Sequence, residues 1–351
     1  MANASSTPLS PSRRRRLKRA YTTNQVPIAA VAGLFGMGKP RPGDLIVARV
    51  AEIRAQQRLE LTNGRRALLH EGDEILVAYG HRYAPSQYEA YVPESLEPCE
   101  LVAAGGVAAV VASCNEGKAP ATIIEPLGFV VDDTDRRVNL EDWCRPPAPL
   151  AQRRPTTIVV TGTSMDSGKT TAAAALIHGL TRSGRRVGAA KVTGTGAGGD
   201  VWRMADAGAD PVLDFTAAGM ASTYLADDDA IGRCYGLLLG HLGHQEVEVA
   251  VIEIADGLFQ RETAHLLASP RLRLTCDGII FAAREALGAA AGVDRLRDLD
   301  LPVLAVSGLL SASPLARREA EGVVDLPVLG REELQHHPDR VLRRCTPAVA
   351  A

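Results

Sequence analysis

Gly162-Thr163-Ser164-Met165-Asp166-Ser167-Gly168-Lys169-Thr170-Thr171 is the stretch that decides the fold of this 351-residue chain. It follows the β-branched run 157–160 and precedes a helical pattern over 172–180. A strand, a glycine loop and a helix in this order are the context of a phosphate-binding loop (P-loop). The glycines admit phosphate groups, and the helix N-terminus directs N–H groups at them. The sequence therefore predicts a nucleotide-phosphate site here.

Residues of this loop have distinct expected roles. Lys169 is expected to reach the β- and γ-phosphates, and the Thr170 hydroxyl to ligate Mg²⁺. Five residues rather than the usual four separate Gly162 from Gly168. A simple glycine turn is the alternative, which the Gly-Lys-Thr-Thr ending disfavours. The expected cofactor-binding set is Gly162, Thr163, Ser167, Gly168, Lys169, Thr170 and Thr171.

Bulk composition narrows the class of protein. A formal net charge of −2 argues against a general nucleic-acid binder. The six cysteines form no close pair, which favours reduced thiols in the cytoplasm. No apolar run approaches the roughly 20 residues that span a bilayer. We therefore expect a cytoplasmic protein with no membrane and no nucleic-acid partner. The arginine run at 13–16 leaves an export signal, a basic interaction arm and a solvated tail as alternatives.

Composition shifts along the chain predict five segments. In the N-terminal half, short apolar runs alternate with turn signals, and Asn63-Gly64 predicts a type I′ hairpin. A stretch rich in proline and arginine then separates the two halves. The expected organisation is a disordered basic tail (1–25), a β-rich domain (26–144), a linker (145–155), a P-loop α/β domain (156–335) and a C-terminal tail (336–351).

Strands and helices alternate after residue 156. The predicted fold class is α/β, with a P-loop NTPase-type, mostly parallel sheet that has helices on both faces, preceded by a smaller β-rich domain. Ligands should then gather at the carboxyl ends of the strands. The predicted strands are 157–161, 187–192, 249–254, 278–282 and 302–306, and the predicted helices are 170–183, 200–208, 230–243, 260–268 and 286–297.

Charged residues stand where two of these strands end. Lys191 is expected to be a second cation beside the transferring phosphate or a substrate carboxylate. Glu253 is the expected strand-end acid for Mg²⁺, and Asp256 is expected to position substrate or nucleophile. The alternatives are a lysine that merely reaches solvent and an acid that caps a helix. The expected catalytic set is Lys169, Lys191 and Asp256.

Further acids and cations follow the second strand. Asp200, ahead of Asp206, is expected to complete the metal set with Thr170 and Glu253. The expected substrate-binding residues are Thr193, Gly194, Arg203 and Arg261, and each arginine has an ordinary surface ion pair as its alternative.

The spacing Gly162-Thr163-x-x-x-x-Gly168-Lys169-Thr170, with Lys191 and Glu253-x-x-x-Gly257, resembles dethiobiotin synthetase and its P-loop amidoligase relatives over about residues 156–310. The resemblance implies that the loop binds ATP phosphates and that Lys191 helps to bind and activate the substrate. It also implies that Asp200 or Asp206 holds Mg²⁺ with Glu253. Two positions differ from that family. Val192 stands in place of a proline, and Glu253-Ile-Ala-Asp256-Gly257 in place of Glu-Gly-Ala-Gly-Gly.

The whole chain, with its segments 206–210 and 214–219, is also similar to a poorly characterised P-loop family. Some members of that family are described as N-acetyltransferases of D-amino acids. This second resemblance implies that the diphosphate of coenzyme A is an alternative ligand for the loop.

The sequence is therefore compatible with three functions. The first is an ATP- and Mg²⁺-dependent ligase or kinase that activates the carboxylate or carbamate of a small, anionic, amino-acid-like metabolite. The second is a metal-independent N-acyltransferase that uses acetyl-CoA, with Glu253 as the general base. The third is a nucleotide-gated switch or delivery protein. A homodimer is the expected assembly.

Overall fold

A computed structural model describes residues 6–149 and 153–345 of the chain. It divides into two compact units. The first unit holds the described residues up to Pro146 together with the segments Thr195–Gly199 and Phe215–Leu225. The second unit holds the remaining described residues. None of the described helices is long and apolar enough to cross a membrane.

The first unit is built almost entirely from short strands, as the alternation of apolar runs and turn residues predicts. One short helix, α1 (Pro11–Arg16), lies near its beginning. Its strands are β1 (Thr7–Pro8), β2 (Lys18–Arg19), β3 (Gly33–Phe35), β4 (Leu45–Glu52), β5 (Arg58–Glu60), β6 (Arg66–Leu68), β7 (Glu74–Tyr79), β8 (Arg82–Tyr83), β9 (Tyr88–Tyr91), β10 (Cys99–Ala103), β11 (Val107–Cys114) and β12 (Thr122–Val131).

Five of these strands close into a ring. Strand β12 pairs with β4, β4 with β7, β7 with β11, β11 with β10, and β10 again with β12. Four of the pairs are antiparallel, and the β7–β11 pair is parallel. Alternate side chains along these strands bury two apolar clusters, one around Phe129 and Tyr79 and the other around Val47 and Val107. Closure of this kind leaves the five strands without a free edge.

The beginning of the chain is a correction to the sequence-based expectation. Residues 6–25 were expected to belong to a disordered tail, but they pack into the first unit. Leu9, Leu17 and Tyr21 are buried, and Arg13 forms a bidentate ion pair with Glu74 (2.8 and 2.9 Å). The arginine-rich composition hid the widely spaced apolar residues that anchor this segment. Residues 1–5 lie outside the described part of the chain.

The hairpin at Asn63-Gly64 is present, but its turn differs from the predicted type I′. That turn requires positive φ at both central residues, whereas of this pair only Gly64 has one (+82°). The Gly64 N–H donates to the Leu61 carbonyl (2.9 Å), and the Leu61 N–H donates to the Arg65 carbonyl (2.9 Å). This pattern is a type I turn followed by a left-handed glycine, the usual three-residue hairpin loop.

Close backbone packing in the first unit depends on Gly105. A Cβ atom there would lie 2.1 Å from the Gly196 carbonyl oxygen, and the next nearest atoms are also backbone atoms, of Gly196 and Ala197. We predict that Gly105→Ala lowers the melting temperature of the full chain by about 5–10 °C, from about 2–3 kcal/mol of overpacking. Gly36→Ala is the matched control because no atom lies within 4 Å of its Cβ position. Equal melting temperatures for the two variants in a calorimetric scan would contradict this packing.

The second unit alternates strands and helices. Its strands are β13 (Thr156–Gly162), β14 (Val187–Lys191), β15 (Val212–Asp214), β16 (Val249–Glu253), β17 (Gly278–Ala282) and β18 (Val303–Ser307). Its helices are α2 (Lys169–Arg182), α3 (Gly199–Asp206, of which Gly199 is counted with the first unit), α4 (Asp228–His244), α5 (Arg261–Ala268), α6 (Pro270–Thr275), α7 (Ala286–Arg297), α8 (Pro314–Glu321), α9 (Arg331–His336) and α10 (Asp339–Leu342).

These six strands form one parallel sheet in the order β15-β14-β16-β13-β17-β18. Neighbouring side chains point to opposite faces, and both faces are covered. Ile280 joins the core cluster that contains Leu176 of α2, whereas the Phe281 ring lies against Gly292 of α7. All strands therefore end at one edge, where their following loops meet.

The far ends of the predicted α/β domain need two corrections. Residues 336–351 were expected to form a tail, but Val341 is buried in the core cluster with Leu334. Residues 346–351 lie outside the described part, as do 150–152 of the predicted linker. Arg154, also in that linker, forms a bidentate ion pair with Asp277 (2.7 and 2.8 Å).

Strand β15 was not predicted because it has only three residues in an acid-rich stretch.

Candidate functional site

The glycine loop between β13 and α2 is held by its neighbours at the strand ends. The Thr163 N–H donates to the Ala282 carbonyl after β17 (3.0 Å), and the Leu309 N–H after β18 donates to the Ser167 carbonyl (3.0 Å). Gly168 precedes α2 in a left-handed conformation (φ +99°). A Cβ there would lie 2.9 Å from Gly308 Cα. Both the backbone angle and the space therefore require glycine.

A second glycine brings the strand-end loop of β16 against the same loop. At Gly257 a Cβ would lie 2.4 Å from the Thr163 carbonyl oxygen. The Ala255 carbonyl in the same loop accepts hydrogen bonds from the hydroxyls of Thr193 and Thr263. Thr193 thereby ties the end of β14 to the loop after β16, and Thr263 ties helix α5 to the same loop. Sequence reasoning did not identify Gly308 or Thr263, although a glycine directly after a strand was a visible signal for Gly308.

Lys169 lies buried, with 6% of its surface exposed. Its Nζ donates to the Ser164 carbonyl (2.7 Å) and to the Asp256 carbonyl (2.6 Å). Burial lowers the pKa of Lys169, and the opposing charges of Glu253 and Asp256 only partly offset that effect. The Lys169 side chain thus links the glycine loop to the loop after β16.

Thr170, Asp200 and Glu253 meet beside it. The Thr170 hydroxyl lies 3.1 Å from Asp200 Oδ1 and 3.0 Å from Glu253 Oε1. Because a hydroxyl has one proton, it can donate to only one of these carboxylates at a time. Lys191, which stands opposite Glu253 in the β14–β16 register, donates to Asp200 Oδ2. We call Lys169, Thr170, Lys191, Asp200 and Glu253 the strand-end cluster.

Burial and charge set the ionisation of this cluster. Burial, and then the nearby Asp200, raise the pKa of Glu253 to about 7. Burial acts on Asp200 in the same direction, but attraction to Lys191 outweighs it and the pKa of Asp200 is lowered. Burial alone would lower the pKa of Lys191, yet its carboxylate neighbours raise it. Asp200 and Lys191 are therefore a charged pair at neutral pH, and Glu253 holds its proton to a higher pH than an exposed glutamate does.

The second unit has a P-loop NTPase fold. The parallel sheet, the glycine loop after its central strand β13 and the buried Lys169 at the start of α2 establish it. The predicted fold class is thereby confirmed.

No protein-family model matches the sequence, and a search of curated proteins finds no match. Among solved structures, the chain is similar to the Signal Recognition Particle 54 kDa protein from Aeropyrum pernix K1 in complex with GDP (19% identity, TM-score 0.38, 55% of this chain and 46% of that chain). It therefore spans less than half of that protein. Another similar structure is the receptor FtsY from Elizabethkingia anophelis in complex with GDP (16% identity, TM-score 0.38, 57% and 67% of the two chains).

The donor set of the strand-end cluster fits a nucleotide with Mg²⁺. Glu253 Oε2 is buried and has no hydrogen-bond partner among the described residues, and the same holds for the Ser167 and Thr163 hydroxyls. Hard oxygen ligands suit Mg²⁺, which typically takes one or two carboxylates and completes its shell with phosphate and water. In the described ranges, no group of three or more His, Cys, Asp or Glu side chains forms a metal cage of its own. A metal here would need phosphate oxygens as well.

Four more of the predicted site residues lie near the strand-end cluster. Thr193 is buried, and its hydroxyl donates to the Ala255 carbonyl, which holds the loops after β14 and β16 together. Gly194 follows it with φ of +137°. Asp256 offers its carbonyl to Lys169. Its negative charge partly offsets the effect of burial, which lowers the pKa of Lys169, and it contributes to the raised pKa of Lys191. Thr171 is half-buried in the first turn of α2.

The two arginines and the second aspartate stay outside the strand-end cluster. Arg203 and Asp206 are exposed on α3. Asp206 is six residues beyond Asp200, about 9 Å along a helix axis, so Asp200 is the acid that reaches Thr170. Arg261 is exposed and pairs with Asp228 (3.6 Å), the ordinary surface ion pair that was its alternative. In the described part of the chain, neither arginine bonds to a member of the cluster.

Proposed function

We propose that this protein is an ATP- and Mg²⁺-dependent ligase or kinase that phosphorylates a carboxylate or carbamate of a small anionic metabolite. The observation that carries the proposal is the strand-end cluster. It places two lysines and two carboxylates around the Thr170 hydroxyl at the start of α2. A protein that only bound a diphosphate would not need the second lysine or the second carboxylate.

Each residue of the cluster has a defined task in this proposal. Thr170, Asp200 and Glu253 would hold Mg²⁺, which neutralises phosphate charge when it is bound. Lys169 would exchange its two carbonyl partners for phosphate oxygens. Lys191 would stabilise negative charge on the transferred phosphoryl group and on the acceptor carboxylate, since it is buried and fully charged. Asp256 would orient the attacking nucleophile.

The motif-level resemblance to the dethiobiotin synthetase group supports a carboxylate or carbamate acceptor. An amino-acid-like substrate agrees with the second family resemblance. Within this proposal the protein is cytoplasmic and acts as a homodimer. Sedimentation of the purified protein at several concentrations tests the dimer directly.

One observation favours a second candidate, the N-acyltransferase. A carboxyl with a pKa of about 7 suits a general base at neutral pH, and Glu253 has that pKa. In this reaction the amine nitrogen attacks the thioester carbonyl of acetyl-CoA and the CoA thiolate leaves. Glu253 would accept the proton that the amine gives up.

Thermal unfolding with a ligand panel separates these candidates. The panel contains ATP, ADP, GTP, CoA and acetyl-CoA, each with and without Mg²⁺. A ligand at a hundred times its Kd adds about 2.7 kcal/mol, or about 5–10 °C. Stabilisation by ATP that requires Mg²⁺ supports the ligase or kinase. Metal-independent stabilisation by acetyl-CoA alone overturns it in favour of the acyltransferase.

Hydroxylamine trapping identifies the chemistry even when the amine substrate is unidentified. An acyl phosphate formed from ATP and a carboxylate reacts with hydroxylamine to give a hydroxamate and phosphate. Pools of amino acids, dicarboxylic acids and N-substituted amino acids are the first acceptors to test. Mg²⁺-dependent ATP binding with slow hydrolysis and no trapped product from any pool would favour the nucleotide-gated switch.

The choice between the two aspartates gives a sharp prediction. Asp200→Asn should remove the dependence of ATP stabilisation on Mg²⁺, because it takes a charged oxygen ligand from the cluster. Asp206→Asn, on the same helix but exposed, should leave the Mg²⁺ dependence unchanged. Both are measured as melting temperature against Mg²⁺ concentration at fixed ATP. Loss of the dependence in Asp206→Asn alone would move the metal site away from the cluster.

A further inference from the structure

One face of the first unit concentrates aromatic side chains at the edge of its sheet. Strand β8 pairs with β9 so that Tyr83 stands opposite Glu89. Two residues further along the pair, the rings of His81 and Tyr91 are in contact, with centroids 5.8 Å apart. Because residues two apart on a strand share a face, these four side chains lie on one side of the hairpin.

Tyr224, from the segment 215–225 of the same unit, joins them. Its ring centroid is 5.5 Å from that of Tyr83 and 6.3 Å from that of Tyr91, with interplanar angles of 45° and 41°. The chain has only seven tyrosines, and three of them meet here, each half-buried. We call His81, Tyr83, Glu89, Tyr91 and Tyr224 the tyrosine face.

The tyrosine face carries negative but no positive charge. Glu89 accepts hydrogen bonds from the Tyr91 hydroxyl and from the Ser113 hydroxyl (2.8 Å), and these bonds lower the pKa of Glu89. His81 Nδ1 accepts from the Val92 N–H (3.2 Å), and burial lowers the pKa of His81, so this ring is neutral at pH 7. The adjacent Arg82 is buried on the opposite side, with its guanidinium 5.6 Å from the Tyr88 ring centroid.

We propose that the tyrosine face binds the alkylated ammonium group of a small ligand. Ring faces attract cations within about 6 Å of their centroids, and tyrosine is among the better rings for this. Because the Tyr224 ring contacts both the Tyr83 ring and the Tyr91 ring, a cation beside Tyr224 lies near more than one ring, and the Glu89 carboxylate adds an ionic partner beside them. A flat apolar ligand would gain from the rings but not from the carboxylate. Nucleic acid, which also stacks on aromatic rings, would be repelled by it.

A matched pair of probes tests the nature of the contact. Choline and 3,3-dimethylbutan-1-ol have nearly the same shape, but only choline is charged. Titration of the full-length protein by calorimetry and by ligand-observed NMR should show saturable binding of choline, and the neutral alcohol should bind about tenfold more weakly. Equal binding of the two, or no saturable binding of choline or of tetramethylammonium, would overturn the proposal.

Two substitutions test whether choline binds at the tyrosine face. Tyr224→Leu removes the ring that contacts both other tyrosines, and Glu89→Gln removes the charge with little change in shape. Each should weaken choline binding about tenfold. Phe259→Leu is the control, because Phe259 is an exposed aromatic residue of the second unit (88% exposed). If Tyr224→Leu unfolds in a thermal scan, Glu89→Gln decides alone. Choline binding that is unchanged in Glu89→Gln, or lost in Phe259→Leu, contradicts the assignment.

Discussion

Replacing Lys169 by alanine is expected to abolish most of the rise in melting temperature that the proposed function predicts for the wild-type protein with ATP and Mg²⁺. The ammonium group is buried and donates to two backbone carbonyls at 2.6 and 2.7 Å. It is therefore already positioned for phosphate oxygens. Truncating one member of a buried, hydrogen-bonded charge pair costs about 2–5 kcal/mol. With about 3 kcal/mol lost, the Kd for ATP should rise about a hundredfold.

The comparison has to be made within each variant. Removal of the side chain also leaves the Ser164 and Asp256 carbonyls without this donor, so the ligand-free protein will itself change in stability. The useful quantity is the difference in melting temperature with and without ATP and Mg²⁺. Lys118→Ala, in the first unit, is the control and should keep the full difference. A Lys169→Ala variant that retains more than half of the wild-type difference would mean that the loop does not bind the phosphates.

Glu253→Gln should make the ligand-free protein more stable at pH 8. The same substitution should remove the expected dependence of ATP stabilisation on Mg²⁺. The pKa of Glu253 is raised from 4.5 to about 7, chiefly by burial and then by Asp200. The folded state thus holds this proton more tightly than the unfolded chain. The associated stability is fully present below about pH 4.5 and is lost as the pH rises through 7. Glutamine imitates the protonated form, so the expected gain is about 2–3 kcal/mol at pH 8 and close to zero near pH 4.5.

Urea unfolding of metal-free protein at pH 5 and pH 8 measures this effect. The urea midpoint of the wild type should decrease from pH 5 to pH 8 by more than the midpoint of Glu253→Gln does. Glu125→Gln, an exposed carboxyl in the first unit, serves as the control and should follow the wild type. If Glu253→Gln lowers stability equally at both pH values, the ionised carboxylate is stabilising in the folded protein and the raised pKa is wrong.

Much of the second unit could be predicted because its signals are local. A β-branched run, a glycine loop and a helical pattern follow one another directly in 157–180, and Lys191 and Glu253 each stand at the end of a buried strand. Parallel strands end at one edge, so their terminal residues meet without further information. The ion pair of Arg261, in contrast, was not visible in the sequence. Nothing local shows that Asp228, 33 residues earlier, pairs with it.

The first unit was harder to predict because its contacts are distant in sequence. Tyr224 meets Tyr83 and Tyr91 across more than 130 residues, and no periodicity connects them. The segment that contains Leu9 and Leu17 has too few apolar residues to show a period. Its burial depends on strands that come later in the chain. Turn type at Asn63-Gly64 depended on hairpin register rather than on the dipeptide alone.

The division of the chain between the two units has a practical consequence for dissecting the protein. Because Thr195–Gly199 and Phe215–Leu225 belong to the first unit and their flanks to the second, the polypeptide changes unit five times rather than once. A fragment that starts at residue 147 would carry both segments without the partners of Ala221 and Phe215, which are buried in the whole chain. Neither half is therefore a detachable module.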